Sequence, residues 1–93
     1  MKHAGAAALD RAQSLLKDIR KREGLKEKTR GNFYRASRAF LHFHEHGEDE
    51  LYADIRLSGD DFKRLRATTA RERAKLLRLI DKALNDGKAR RLR

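Results

Sequence analysis

The chain begins with a stretch in which apolar residues recur at every third or fourth position. Between about Gly5 and Glu23 these positions form one stripe: Ala8, Ala12, Leu15, Leu16 and Ile19. That spacing predicts an amphipathic helix. Gly24 is expected to end it, because glycine adopts the left-handed backbone conformation without strain.

Residues 25–32 have neither a helical nor a strand period and predict a basic loop. Phe33 to Arg38 is ambiguous, and the aromatic pair favours a short strand or the approach to one.

The middle of the chain alternates with a period of two, which predicts a β-hairpin over Phe40 to Arg56. One face of this hairpin is apolar and is expected to pack on the helices: Ala39, Leu41, Phe43, Leu51, Ala53, Ile55 and Leu57. The opposite face carries Phe40, His42, His44, Tyr52, Asp54 and Arg56. The connection around Glu45 to Glu50 contains Gly47 and is too polar to be buried. A third antiparallel strand is predicted over Phe62–Ala67, with Phe62 on the side away from Leu65.

The last element is a second amphipathic helix. Thr69 followed three residues later by Glu72 fits a capping box, in which each residue binds a backbone N–H of the other. The apolar face of the helix follows: Leu76, Leu77, Ile80, Ala83 and Leu84. Gly87 is expected to end the helix, and the basic tail 88–93 is expected to be flexible.

These elements predict an α+β fold in one small domain spanning residues 1–93, with an ordered core over about 6–87. The order is helix, an antiparallel meander of two or three strands, then helix. The simplest packing places both helices on one sheet face and leaves the other face open. A chain of 93 residues supports one hydrophobic core and not two.

Composition narrows the function classes. The chain has no cysteine, so disulfides and thiolate metal sites are excluded. No segment approaches the roughly 18 apolar residues of a membrane span. The start, MKHAGAAALD, is too weakly apolar for a secretory signal. We therefore expect a soluble cytoplasmic protein with no membrane partner.

The net charge of +10 is unevenly distributed. Residues 1–31 carry nine Lys or Arg against four acids, and residues 62–93 carry twelve against three. Residues 32–61 carry three against seven, so the hairpin is the acidic centre of a basic chain. Some of the flanking charge is therefore expected to neutralise the hairpin within the same molecule.

A basic stripe is predicted on the last helix, opposite its apolar face: Arg71, Lys75, Arg78 and Lys82. Cations aligned in this way can follow the phosphates of a nucleic acid. Additional contacts are expected from Arg30, Arg35 and the tail residues Arg90, Arg91 and Arg93. The alternative is an ordinary solvated helix face. The leading hypothesis is a non-enzymatic binding module for nucleic acid or another polyanion, with no cofactor.

The open face of the hairpin supports two further hypotheses. His42, His44 and Asp54 are candidate ligands for zinc or a similar metal, with possible hydrolytic chemistry. Cross-strand pairing and surface ion pairs explain the same residues without a ligand. Phe40 and Tyr52, together with both histidines, are instead a candidate interface with another protein or a second copy of the chain. Neither a Ser-His-Asp spacing nor an HExxH motif is present, which makes catalysis the less favoured class.

The segment FYRASRAFLHFHEHGEDELYADIRL, followed by TTARERAKLLRLID, resembles a group of short, uncharacterised bacterial proteins. The resemblance covers roughly residues 30–82, and FYR-x-SRAFLHFHE is its most distinctive part. It implies an α+β fold and a bacterial cytosolic origin. It implies no activity, cofactor or site residue.

Overall fold

The computed structural model describes the backbone of residues 1–91 and the side chains of residues 1–86. Within residues 1–91, three helices and six strands follow one another in this order: β1 Lys2–His3, α1 Ala6–Arg11, α2 Gln13–Arg20, β2 Lys26–Thr29, β3 Asn32–Arg35, β4 Arg38–His46, β5 Glu50–Ser58, β6 Asp61–Arg66 and α3 Ala70–Arg91. The predicted α+β class is confirmed, with more strands than expected. No helix in the described part of the chain has the length and apolar character needed to cross a membrane.

The strands form one antiparallel sheet in the order β2-β3-β4-β5-β6. The short β1 pairs with the last part of β4, so that His3 lies opposite His44. The predicted hairpin is β4 and β5, in which His42 pairs with Asp54 and Phe43 pairs with Ala53. The predicted third strand is β6. Because direct cross-strand partners share a face, this register fixes which side chains meet on each side of the sheet.

The first predicted helix forms as two consecutive segments, α1 and α2, which meet at Ala12. The backbone of Ala12 departs from helical geometry (φ −99°, ψ 16°). Its N–H nevertheless donates to the Ala8 carbonyl at 3.2 Å, and its own carbonyl accepts from the Leu16 N–H at 3.0 Å. Gly24 has φ +94°, the left-handed conformation expected beyond the helix.

The basic loop predicted over residues 25–32 is wrong, because β2 and the start of β3 form a hairpin there. Glu27 stabilises this hairpin in two directions. Its carboxylate pairs with Arg20 of α2 and also accepts from the Gly31 N–H at 2.8 Å. The ambiguous segment from Phe33 resolves into strand β3 and a turn at Ala36 and Ser37.

The apolar stripes of the helices and one sheet face enclose a single core: Leu9, Ala12, Leu15, Leu16, Ile19, Phe33, Phe40, Leu41, Phe43, Leu51, Ala53, Ile55, Ala67, Leu76, Ile80, Ala83 and Leu84. The helices therefore cover the same face of the sheet, as predicted. The opposite face carries the alternate residues of β4, β5 and β6 and is not covered by a helix.

Phe40 departs from the predicted alternation, and so does Ala39, which was predicted on the apolar face but pairs with Tyr34 and is absent from the core. The β3–β4 pairing passes from Phe33–Leu41 directly to Tyr34–Ala39, which leaves Phe40 as an extra residue on β4. This β-bulge changes the direction of the side chain. Phe40 is only 2% exposed and belongs to the core. Its predicted place on the open face is therefore wrong.

The capping box at the start of α3 forms as predicted. The Glu72 N–H donates to Thr69 Oγ1 at 3.1 Å, and Glu72 Oε1 accepts from the backbone N–H groups of Thr69 at 3.0 Å and Thr68 at 3.1 Å. The predicted end at Gly87 is wrong, since α3 continues to Arg91. A glycine inside a helix costs only about 1 kcal/mol relative to alanine, and lysine, alanine and arginine follow it. Of the predicted flexible tail, residues 92–93 lie outside the described residues.

Candidate functional site

The two predicted histidines and the predicted aspartate meet on the open sheet face. His42 of β4 lies directly opposite Asp54 of β5, and His44 lies two positions further along β4. The Nε2 atoms of His42 and His44 lie 3.3 Å and 3.1 Å from the same oxygen, Asp54 Oδ2. We call these three residues the His–Asp cluster.

Arg64 of β6 is the residue of this site that sequence reasoning did not assign. It lies opposite Asp54, and its Nε and Nη2 donate to Asp54 Oδ1 at 2.8 Å and to Oδ2 at 2.9 Å. Asp54 is 7% exposed, and the hydrogen bonds from Arg64 hold the pKa of its carboxyl below the usual range, against the opposing effect of burial. The alternation of β6 already placed Arg64 on this face, but the sequence did not supply the strand register.

Aromatic rings enclose the cluster on two sides. The His3 ring stacks on the His44 ring with centroids 4.6 Å apart. Phe62 meets the His42 ring edge-on at 4.9 Å, and the Arg56 guanidinium lies 4.5 Å from the centroid of Phe62. The position of Phe62 away from the core is therefore accounted for, because it covers His42. No sequence period could place His3 here, since β1 is two residues long.

His44 is the most enclosed histidine of the cluster, with 11% of its side chain exposed. Burial lowers the pKa of His44, and the electrostatic effects of His3, His42 and Arg64 lower it further, while Asp54 opposes them. Within the described residues its Nδ1 is buried without a hydrogen-bond partner. The surroundings of His44 therefore favour its neutral form, which is the form of imidazole that binds a metal ion.

A shallow groove of about 390 Å³ opens beside the cluster on the side of His42. Its walls include His3, Asn32, Tyr34 and His42. Lys28 lies 4.3 Å from the centroid of the Tyr34 ring and adds positive charge at this edge of the sheet. The groove gives a small molecule or ion a path to the rim of the cluster.

The aromatic pair predicted as an interface does not form. Phe40 lies in the core, whereas Tyr52 is half-buried on the open face and its hydroxyl donates to Glu50 Oε2 at 3.1 Å. An interface on this face would therefore have to rely on Tyr52, the histidines and Phe62. With Phe40 in the core, this face offers less exposed apolar surface for binding a second copy of the chain than the sequence indicated.

The basic stripe is exposed on α3: Arg71, Lys75, Arg78 and Lys82. The buried residues Leu76 and Ile80 lie on the other side of the same helix. None of the ion pairs formed within residues 1–86 includes a member of the stripe. These four cations thus face solvent without a carboxylate partner in the described structure.

The two additional arginines predicted to assist the stripe have partners within the chain. Arg30 Nη2 lies 2.7 Å from Asp10 Oδ1 and donates to Gln13 Oε1 at 3.1 Å. Arg35 Nη1 donates to the Ala83 carbonyl of α3 at 3.1 Å. The side chains of Arg90, Arg91 and Arg93 lie outside the described residues.

The resemblance of residues 30–82 to a bacterial family stays a prediction, and function has to be argued from this chain's own residues. No protein-family model, curated protein or solved structure matches the chain.

Proposed function

We propose that this protein is a non-enzymatic nucleic-acid-binding module that contacts phosphates through the basic stripe of α3. One observation carries the proposal: no ion pair formed within residues 1–86 includes a member of the stripe, and two of the three carboxylates of α3 are bound elsewhere. Glu72 pairs with Arg66 of β6 at 3.1 Å and caps the helix. Asp81 pairs with Arg22 at 3.0 Å.

Several arginines around the sheet, unlike the stripe, have a carboxylate partner. Arg20, Arg38 and Arg64 each pair with a carboxylate, and the acids of the hairpin neutralise arginines close to them. Carboxylates on and near the sheet therefore neutralise part of the positive charge within the same molecule, as the charge count suggested. It leaves the outer surface of α3 with a net positive field over the described residues, which attracts polyanions.

The spacing of the stripe suits a phosphate backbone. Lys82 lies eleven positions after Arg71, which is a length of about 16.5 Å at 1.5 Å per residue. Like charges at i and i+4 repel each other by a few tenths of a kcal/mol. A polyanion lying along the helix would remove that repulsion and release its own condensed counterions.

The decisive experiment measures binding as a function of salt. A labelled duplex of about 20 base pairs, and a single-stranded RNA of the same length, are titrated with the full chain at several salt concentrations. The stripe variant replaces all four cations with glutamine: Arg71→Gln, Lys75→Gln, Arg78→Gln and Lys82→Gln. A control variant makes the same change in net charge at exposed lysines off the stripe: Lys17→Gln, Lys21→Gln, Lys26→Gln and Lys63→Gln.

The stripe variant is expected to lose about 3.6 from the slope of log K against log salt for duplex DNA, or about 0.9 for each phosphate contact. The control variant should retain most of the wild-type slope, because its cations do not follow one line of phosphates. Failure of the wild-type chain to bind either nucleic acid at low salt overturns the proposal. An equal loss in both variants also overturns it, since binding would then depend on net charge and not on the stripe.

A further inference from the structure

We propose that His42, His44 and Asp54 form a binding site for one divalent transition-metal ion of the zinc type. The site lies on the open face of the sheet, away from the basic stripe of α3. It therefore stands or falls independently of nucleic-acid binding.

The spacing of the donor atoms is the main argument. A tetrahedral zinc ion with bonds of about 2.0–2.1 Å holds neighbouring ligand atoms roughly 3.3–3.4 Å apart. In the His–Asp cluster the Nε2 atoms of His42 and His44 lie 3.3 Å and 3.1 Å from Asp54 Oδ2. All three donor atoms fall within 4.8 Å of one another. Small shifts of the side chains are therefore enough to place them around an ion.

The approach of two imidazole rings to one oxygen, Asp54 Oδ2, is a second observation. Two imidazoles approach Asp54 Oδ2, which already accepts from Arg64 Nη2 at 2.9 Å. Hydrogen bonds alone can hold both imidazoles here, since a carboxylate offers about four acceptor sites. An ion bound by both rings and by the carboxylate would use the same convergence.

The cluster is held in place by its surroundings. His42 and Asp54 project from adjacent central strands in fixed register, and His44 follows on the same strand. Phe62 and His3 pack on the two imidazole rings. Arg64 orients the carboxylate through Oδ1, as outer residues commonly do around bound metals. Its half-exposed side chain can withdraw towards solvent from Oδ2 when a cation is present.

The chemistry of the donors selects the class of metal. Two imidazoles and one carboxylate suit zinc and similar ions, whereas calcium and magnesium prefer ligand sets made only of oxygen. Copper(I) prefers soft sulfur ligands, and the chain has no cysteine. Three protein ligands leave a coordination position free for water or another small ligand.

Histidine side-chain NMR on the full chain, prepared without a polyhistidine tag, provides the test. Zinc chloride is the probe, and magnesium chloride is the control ion. We expect the ring signals of His42 and His44 to shift and to stop changing at one equivalent of zinc. The signals of His46, which is exposed at the end of β4, should stay in place. Magnesium should move none of these signals.

Variants then assign the ligands by calorimetry. His42→Gln and His44→Gln should each weaken zinc binding at least about tenfold, because each removes a direct ligand. His46→Gln is the matched control and should leave the affinity unchanged. Circular dichroism checks that each variant is folded, and the wild-type NMR titration does not depend on any variant.

Three results overturn the proposal. The first is a set of His42 and His44 signals that stay unchanged at stoichiometric zinc. The second is a His46→Gln variant that loses as much affinity as His44→Gln. The third is an equal response to magnesium, which would indicate a general electrostatic effect.

Discussion

Arg64 binds Asp54 through two parallel hydrogen bonds that cross from β6 to β5 on the open sheet face, at 2.8 Å and 2.9 Å. A carboxylate that is 7% exposed depends on this partner to retain its charge. We expect Asp54→Asn to lower the free energy of unfolding by about 1–3 kcal/mol, because Arg64 and the two histidines lose the charge they surround.

Urea denaturation measures this loss, and Asp60→Asn is a suitable control. Asp60 pairs with Arg38 and Arg56 but its side chain is 87% exposed, so its removal should cost about 1 kcal/mol or less. Equal losses for the two variants would contradict a special role of the Asp54 pair.

Phe40 and Tyr52 should differ sharply in their contributions to stability, although both were expected on the open face. Phe40→Ala removes a core ring and should lower the free energy of unfolding by about 3–5 kcal/mol. Phe40→Leu is a milder version that should keep the chain folded. Tyr52→Leu should cost less than Phe40→Leu, because Tyr52 is half-buried and outside the core. A larger loss of unfolding free energy in Tyr52→Leu than in Phe40→Leu would contradict the burial of Phe40 by the β-bulge.

Glu72 should make the folded chain sensitive to acid. Hydrogen bonds from the Thr69 and Thr68 backbones and from Arg66 lower the pKa of Glu72 to about 2, from an ordinary value of 4.5. The folded state therefore binds the proton more weakly than the unfolded state does. The stabilisation from ionised Glu72 is fully present above a pH of about 4.5, and it is lost as the pH falls towards 2.

Urea denaturation of wild type and Glu72→Gln between pH 5 and pH 2 measures this contribution. The difference in stability should shrink as the pH falls, since the wild-type carboxyl becomes neutral like the amide. A difference that stays constant with pH would show that the charge of Glu72 is not the source of its effect.

The sequence predicted the parts of the fold that depend on local periodicity. The alternation of β4 and β5 placed His42, His44 and Asp54 on one face, and the Thr69–Glu72 spacing placed the start of α3. Side chains alternate along any strand. Once the position of the turn between β4 and β5 is assumed, the cross-strand partners and the face of each residue follow.

Three features escaped prediction for physical reasons. Strand β2 is polar on both sides and owes its position to pairing with β3 and to the contacts of Glu27. The turn between β3 and β4 has Ala36 at φ +49° and Ser37 at φ +70°, a left-handed conformation that neither residue type favours. The β-bulge at Phe40 has no sequence signature of its own. Each of these is fixed by neighbouring strands and not by local preference.

The candidate metal site likewise contains residues that the sequence could place and residues that it could not. Its three proposed ligands follow from one hairpin, whereas Arg64 needed the register of β6. His3 needed a contact between strands about forty residues apart in the chain, made by a strand too short to have a period.

The order of the sheet also bears on how the chain can avoid edge-to-edge association. Its two outer strands, β2 and β6, present unpaired backbone groups that another chain could extend. Both are short, both have an irregular register, and both carry several cations, among them Lys26, Lys28, Lys63 and Arg66. A second copy adding to either edge would bring like charges together. Part of the positive charge of this chain is thus placed where it would oppose pairing at the sheet edges, and that charge need not have a ligand.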